Sequence, residues 1–404
     1  MFAKMTLIEI LYALGFLGCV VCFLPMAEQP FELPKVWLLL SWCVLLIYGA
    51  IRAFLLHAPR AVKQERNLSV VFPLLLWFGW VWFSSIQSGS LTASLLGNVH
   101  RLDGLFTLSA VMVIALIFSY FAVHRVKEWL PIVLLVSVAA TALSVVAHAF
   151  VVTVLGMSHL DIWYGAFGGV FGQPIFAAGF LAVTAPIVVY FFTRYEQEWV
   201  RLIAASVLIL VGVALFFTQA FGAVISIGFV GTAFLFIYRK SWKLGLIVFL
   251  VSMVILGFAL KNQQELLQSR TADTRLRIWQ QLYDAWQEKP IVGWGWAQTG
   301  VAFTSQPQPE AILFDIYVDK AHSHFIEMGV TTGTVGLILY VGFLLAVLVA
   351  VLQRVRSANS PAEKAWWLCV AQMFCIYVVH TQTNVVSISE EIVFWTIVGL
   401  VIRK

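Results

Sequence analysis

The chain has 404 residues, 61% of them hydrophobic and only 11% charged, with a net charge of +5 and a mean hydropathy of +0.92. Soluble domains carry about 25% charged residues, so this composition excludes an ordinary soluble enzyme and indicates a polytopic membrane protein. The small positive excess gives no reason to expect a nucleic-acid partner; the placement of the charges carries the information.

Twelve apolar segments are expected to span the membrane: about 5–27, 33–56, 69–87, 105–124, 129–155, 174–193, 199–218, 220–238, 242–260, 323–352, 365–383 and 389–402. Backbone groups in lipid must bond within their own segment, so these are helices. The expected fold is an all-α polytopic membrane protein, a single transmembrane domain over 1–404 with one long loop at 261–322. The first segment lacks a small-residue cleavage site after a short apolar core and reads as an anchor. With Lys4 inside, 17 of the 25 basic residues fall on the inward side. Only Lys35 and Arg101 are then basic on short outward loops, which obeys the positive-inside bias. Both termini are expected in the cytoplasm and the 261–322 loop outside it.

The five cysteines (Cys19, Cys22, Cys43, Cys369, Cys375) fall within spans and build no disulfide framework. Cys19-Val-Val-Cys22 has metal or redox spacing, but no charge lies nearby to lower a thiol pKa; it reads as packing. Polar residues gather on the outward loops: Asn98, His100, Arg101 and Asp103, then His159, Asp161 and Gln173, then the long loop. Loops on a rigid scaffold carry function, so an enzyme or a transporter working at the outer face is expected.

Within the long loop, 273–288 reads as a helix capped by Thr271 or Asp273 and ended by Pro290. Trp279, Leu282, Tyr283 and Trp286 share one face, and such an aromatic stripe suits a helix lying at the membrane interface. Arg275 shares that side at the helix start; Arg277 points elsewhere. "PIVGWGW" then turns the chain on Gly293 and Gly295. The segment "AHSHFIEMGVTTGTVG" brings His322, His324 and Glu327 to the mouth of the tenth span. An arginine fork binds phosphate oxygens in pairs, and a histidine accepts a proton near neutral pH. Together they suggest group transfer from a lipid diphosphate to a hydroxyl. The plain alternatives are a solvated interfacial arginine and an ordinary His324–Glu327 polar pair at i, i+3. His322 and His324, at i, i+2, are poorly placed to share a metal.

These residues resemble the superfamily of O-antigen ligases, O-antigen polymerases and protein O-oligosaccharyltransferases. The resemblance rests on Arg275…Trp279, Pro290…Gly293-x-Gly295, His322-Ser323, Glu327, Gly333 and Gly336, with "HRLDGL" at 100–105 and "GQP" at 172–174 as weaker upstream matches. It implies a GT-C-like architecture and a bacterial inner-membrane enzyme. That enzyme takes a glycan from undecaprenyl diphosphate at the periplasmic face, inverts the anomeric centre, and uses no metal or cofactor. It implies His322 as the catalytic residue and Arg275 as a diphosphate ligand, with His324, Glu327, Trp279, Gly293, Gly295 and Gln173 in support. The chain departs from the pattern at Ser323, where the family has Asn, at Ile175, and at Phe221, where the family often has a second arginine. A second phosphate ligand is therefore expected from Arg101 or Arg277.

The acceptor stays open between lipid A core, a growing polysaccharide and a protein hydroxyl. Besides a non-catalytic membrane scaffold, two other readings stay open as well. One is a secondary transporter, for which His148 and the region of His380 are the intramembrane candidates. The other is a peptidoglycan-type polymerase of similar topology.

Overall fold

The computed structural model describes residues 5–24, 29–57, 66–99, 101–121, 126–160, 165–239, 243, 271–307 and 318–403. The expected span at 242–260, His100, Asp161 and the side chains of 271–274 lie outside the described residues. The chain runs through α1 (Leu7–Val21), α2 (Glu32–His57), α3 (Leu68–Gln87), a short α4 (Leu91–Leu96), α5 (Leu105–Phe121), α6 (Val126–Thr153), α7 (Pro174–Arg194), α8 (Glu198–Thr218) and α9 (Phe221–Arg239). It continues through α10 (Thr271–Glu288), α11 (Thr299–Ser305), α12 (His324–Arg356), α13 (Pro361–His380) and α14 (Ile388–Ile402). No strand occurs among the described residues.

Seven helices are long and apolar enough to cross a bilayer: α2, α3, α6, α7, α8, α12 and α13. Helices α1, α5 and the first part of α9 are apolar but shorter. The protein is thus a polytopic α-helical membrane protein, with fewer full-length spans among the described residues than the twelve expected. Helix α14 shows why the apolar segments and the spans differ in number. Its 15 residues reach only about 22 Å, less than the ~30 Å hydrocarbon core. Nearly all of them are buried, against α1, α2, α3, α5, α7, α12 and α13. A helix apolar all round is one enclosed by protein, and α14 is the hub of the bundle. Helix α8 is the opposite case, presenting Trp199, Leu202, Ile209 and Phe216 outward, a surface suited to lipid.

Helix α12 has 33 residues, about 50 Å if straight. It breaks at Gly333, whose φ of 71° and ψ of 179° are not helical. Residues 334–356 suffice for a span, and 324–332 form a separate arm that carries His324 and Glu327.

Two expectations need correction. Lys35 is on no loop: it lies in the first turn of α2, fully buried, 3.1 Å from Glu32 and 3.9 Å above the Phe171 ring. In α10 the buried stripe is Ile278, Leu282 and Ala285, with Trp279 and Trp286 partly buried beside it, whereas Tyr283 is 54% exposed. The apolar face packs on α11 and α12, where Ala302, Phe303, Ala321 and Val330 complete a small core of its own. The stripe is rotated because the helix is buried against the rest of the loop.

Candidate functional site

The site is built on a backbone clasp. The break at Gly333 frees carbonyls of the α12 arm, and the 290–296 turn takes them up. Trp294 N–H donates to Val330 O at 2.9 Å, Gly295 N–H to Thr331 O at 2.7 Å, and Thr334 N–H to Pro290 O at 2.7 Å. From α3, Trp80 Nε1 donates to Thr332 O at 2.8 Å, and Ser84 Oγ to Val292 O at 2.5 Å and Thr331 O at 3.0 Å. Gly293 and Gly333 both have positive φ, and a Cβ on either would strike the other strand's backbone at 2.0–2.5 Å. The sequence pairs its glycine turn with its helix glycine because only glycine permits this approach.

The clasp aims the segment before α12. Trp279 Nε1 donates to Ala321 O at 2.8 Å. Glu327 reaches back to accept from Lys320 Nζ at 2.7 Å and Ala321 N–H at 3.4 Å. On the other side, His324 N–H donates to Thr381 O at 2.9 Å and Phe325 N–H to Gln382 Oε1 at 3.2 Å. Between these anchors His322 is held at φ +52°, a conformation rare for a residue with a Cβ. Arg275 Nη1 donates to Thr383 O at 3.1 Å, so the 381–383 loop touches both the arginine helix and the histidine segment.

Two loops distant in sequence are cross-braced by ion pairs. Arg101 Nε lies 2.5 Å from Asp319, and Lys320 Nζ lies 2.6 Å from Asp103 and 2.7 Å from Glu327. Arg101 and Asp103, two positions apart, thus pair with the long loop and not with one another. Burial works to raise the Asp103 carboxyl, but Lys320 outweighs it and holds Asp103 below the usual carboxylate range. Burial likewise works against the Lys320 ammonium, but Asp103 and Glu327 prevail and its pKa is raised. At His322, burial and then the Arg275 charge push the imidazole down to about 4, with Asp319 opposing and Arg101 adding to the shift. His322 is therefore neutral at physiological pH and lies within electrostatic reach of Arg275, Arg101 and Asp319. Burial also lowers the Arg275 pKa, yet Arg275 makes no ion pair among the described residues.

Beside this cluster a cavity of about 100 Å³ opens between α3, α5, α12, α13 and α14. Arg101, Lys320, Ser323, His324 and Glu327 form its charged rim, and Trp77, Trp395, Phe394 and Leu108 its apolar depth. His324 lines the cavity, with its ring stacked on Tyr340 at 5.2 Å, whereas His322 is not part of the lining. The expected set is thus only partly assembled. Arg275, His322 and Arg101 come together, with Trp279, Gly293, Gly295 and Glu327 as supports. Arg277 is exposed on α10 and away from the cavity lining. Gln173 opens α7, three residues before Phe176, whose ring lies 5.3 Å from the Arg101 guanidinium.

Sequence reasoning missed Asp319, Lys320, Gln382 and Glu391. The first two had a signal: an Arg-x-Asp and an Asp-Lys of opposite order on two outward loops. Glu391 lines the cavity and accepts from Tyr377 Oη at 2.8 Å and Trp395 Nε1 at 3.1 Å. Its signal was a carboxylate inside an apolar segment, which is functional by default. Gln382 had none.

A family model described as O-antigen ligase matches residues 206–341. No curated protein matches the chain. The matched stretch runs from α8 to beyond the helix break and takes in Arg275, the clasp and His322, so over those residues the chain is similar to the O-antigen ligases.

Proposed function

We propose that the protein is an O-antigen ligase- or polymerase-type glycosyltransferase of the bacterial inner membrane. It transfers a glycan from undecaprenyl diphosphate to an acceptor hydroxyl at the periplasmic face, and both of its termini are cytoplasmic. The observation that carries this reading is the convergence of His322, Arg275 and Arg101 from three separate segments onto one cluster. Arg275, with no carboxylate partner among the described residues, is the cation available to a diphosphate; the Nη groups of Arg101 are a second source beside its Asp319 pair. In the reaction the acceptor oxygen attacks the anomeric carbon from the face opposite the diphosphate. The carbon–oxygen bond to phosphate breaks, undecaprenyl diphosphate leaves with the electron pair, and the hydroxyl proton passes to His322. A neutral imidazole is ready for that proton, and the bound diphosphate offsets the arginine charges that depress its basicity. Supporting roles follow from the contacts. Trp279 and Glu327 fix the backbone on the His322 approach, Gly293 and Gly295 make the clasp, and His324 lines the cavity where the acceptor enters. The reaction needs no metal, because the arginines stabilise the departing charge.

The test is transfer from a defined undecaprenyl-diphosphate glycan by wild type, His322→Ala, His324→Ala and Arg275→Lys at equal protein levels. The general-base step predicts a loss of ~10²–10⁴-fold in His322→Ala. A near wild-type rate there, with His324→Ala dead, would move the catalytic role to the cavity histidine. Offering lipid A core, polysaccharide and protein acceptors separates ligase, polymerase and protein-modifying activity, and a peptidoglycan precursor covers the related polymerase.

One observation favours a transporter. His380 and Glu390 are both fully buried with Nε2 and Oε1 3.4 Å apart, and Gly179 leaves the space they occupy. Such a pair serves proton coupling in transporters. Loss of transfer in none of the four variants, together with pH-driven uptake abolished by Glu390→Gln, would favour that reading.

A further inference from the structure

The two halves of the site have opposite electrostatic character. On the α10 side, Arg275 has no carboxylate partner among the described residues. On the cavity side, Arg101 and Lys320 are already held by carboxylates, while four carboxyl groups, Glu32, Asp103, Glu327 and Glu391, face the same space. A second anion entering there would be desolvated among carboxyls that outnumber the two cations, each of which already has a carboxylate partner. Glu391 supplies no positive charge in either protonation state.

The hydrogen-bonding inventory points the same way. Asn384 lines the cavity and is 6% exposed. Its amide nitrogen is 3.3 Å from His380 Nδ1 and donates to Thr383 Oγ1 at 3.0 Å, and no described residue donates to its amide oxygen. The cavity therefore offers acceptors, the Asn384 oxygen and the carboxylates, beside uncharged donors such as Trp77 Nε1. Its apolar walls are aromatic side chains: Trp77, Trp296 and Trp395, with the Tyr340 ring stacked on His324. An acceptor-rich rim over aromatic walls fits a ligand with many O–H or N–H donors and an apolar ring face.

We infer that this cavity is the acceptor subsite and that it takes an uncharged or amine-bearing sugar, rejecting sugars that carry phosphate or carboxylate. The word acceptor rests on the glycosyl-transfer reading above; the charge selectivity rests on the cavity alone. Glu391 and Asn384 receive hydroxyl or ammonium hydrogens, and the acceptor hydroxyl is presented toward His322 past Arg101, which borders both the cavity and the histidine.

The experiment uses the purified full-length protein and three oligosaccharides that differ only in the terminal sugar: neutral, amino-substituted and phosphorylated. Binding is read by quenching of the intrinsic tryptophan fluorescence, and turnover is read separately with the undecaprenyl-diphosphate donor. The neutral and amino ligands should bind saturably, with the phosphorylated one at least tenfold weaker. Glu391→Gln should raise the acceptor KM several-fold, leave the donor KM unchanged and narrow the gap to the phosphorylated ligand. Equal binding of all three by the wild type would overturn the proposal without need of any variant, as would an effect of Glu391→Gln on donor KM alone. Selective binding without transfer to any acceptor would refute the glycosyl-transfer reading and leave the cavity's selectivity standing. Transfer indifferent to acceptor charge would do the reverse.

Discussion

Replacing Lys320 with methionine tests the cross-brace between the 98–104 loop and the histidine segment. The ammonium is 14% exposed and lies between Asp103 and Glu327, themselves 17% and 12% exposed. Removing one partner of a buried ion pair costs about 3–5 kcal/mol, because the remaining charge is left without compensation; partial exposure puts the expected loss near ~3 kcal/mol. The pH dependence follows from the shifts. In the wild type Asp103 is depressed, so its contribution is present above the unfolded carboxylate pKa and is lost only as the pH falls through the lower folded value. Lys320 is raised, so its contribution is complete below the unfolded lysine pKa and is lost only as the pH rises through the higher folded value. The pair is therefore silent between about pH 5 and 8. In Lys320→Met burial dominates at Asp103 and raises its pKa, so stability should recover as the pH falls from 8 to 5. Thermal unfolding of the purified protein across that range gives the answer. A variant that melts with the wild type, or whose deficit is independent of pH, would show that the brace carries no stability.

Trp279→Phe removes one hydrogen bond to Ala321 O, worth about 0.5–1.5 kcal/mol, so the melting temperature should barely move while transfer falls about tenfold; full activity would show that the His322 backbone needs no such anchor. Because the imidazole is held to about 4 in the free protein, the acid limb of kcat/KM should lie well below pH 6, and Arg275→Gln should move it upward by removing the second cause of the depression. A limb near pH 6.5 in the wild type would contradict the burial of His322. Phe221 opens α9 one residue before Gly222, whose Cα faces Asn384 and Thr383, so Phe221→Arg places a charge at the end of the loop that Arg275 touches. Transfer should rise less than twofold; a large gain would show that the second family arginine is still accommodated.

The apolar segments were legible because burial in lipid or protein demands unbroken hydrophobic runs, and eleven of the twelve expected segments are helical. What composition could not separate is a helix facing lipid from one enclosed by other helices: α14 and α8 read alike in sequence and occupy opposite environments. The rotated stripe of α10 has a similar cause, since aromatic residues signal an interface while Ile278 and Ala285 mark the actual contact. At the site, residues near one another in sequence were found, and the partners supplied by distant loops were not. Asp319 and Lys320 acquire meaning only when 98–104 is brought alongside them, and Gln382 only when α13 ends against the start of α12. The exchange of His322 and His324 at the cavity follows from a φ of +52°, which no residue pattern announces.

The clasp also governs how such proteins can be recombined. Pro290–Trp296 and Val330–Thr334 share their main-chain hydrogen bonds and leave each other no room for a Cβ. Neither stretch is an independent cassette. A chimera that swaps the long loop between related chains but cuts between 296 and 330 would join halves of a single interlocked backbone unit. A graft that carries 290–334 as one block keeps the unit whole and hands over the histidine segment with its geometry already set. Specificity can then be transplanted at the cavity and the 98–104 loop, which meets the long loop through the side-chain ion pairs of Arg101 and Asp103.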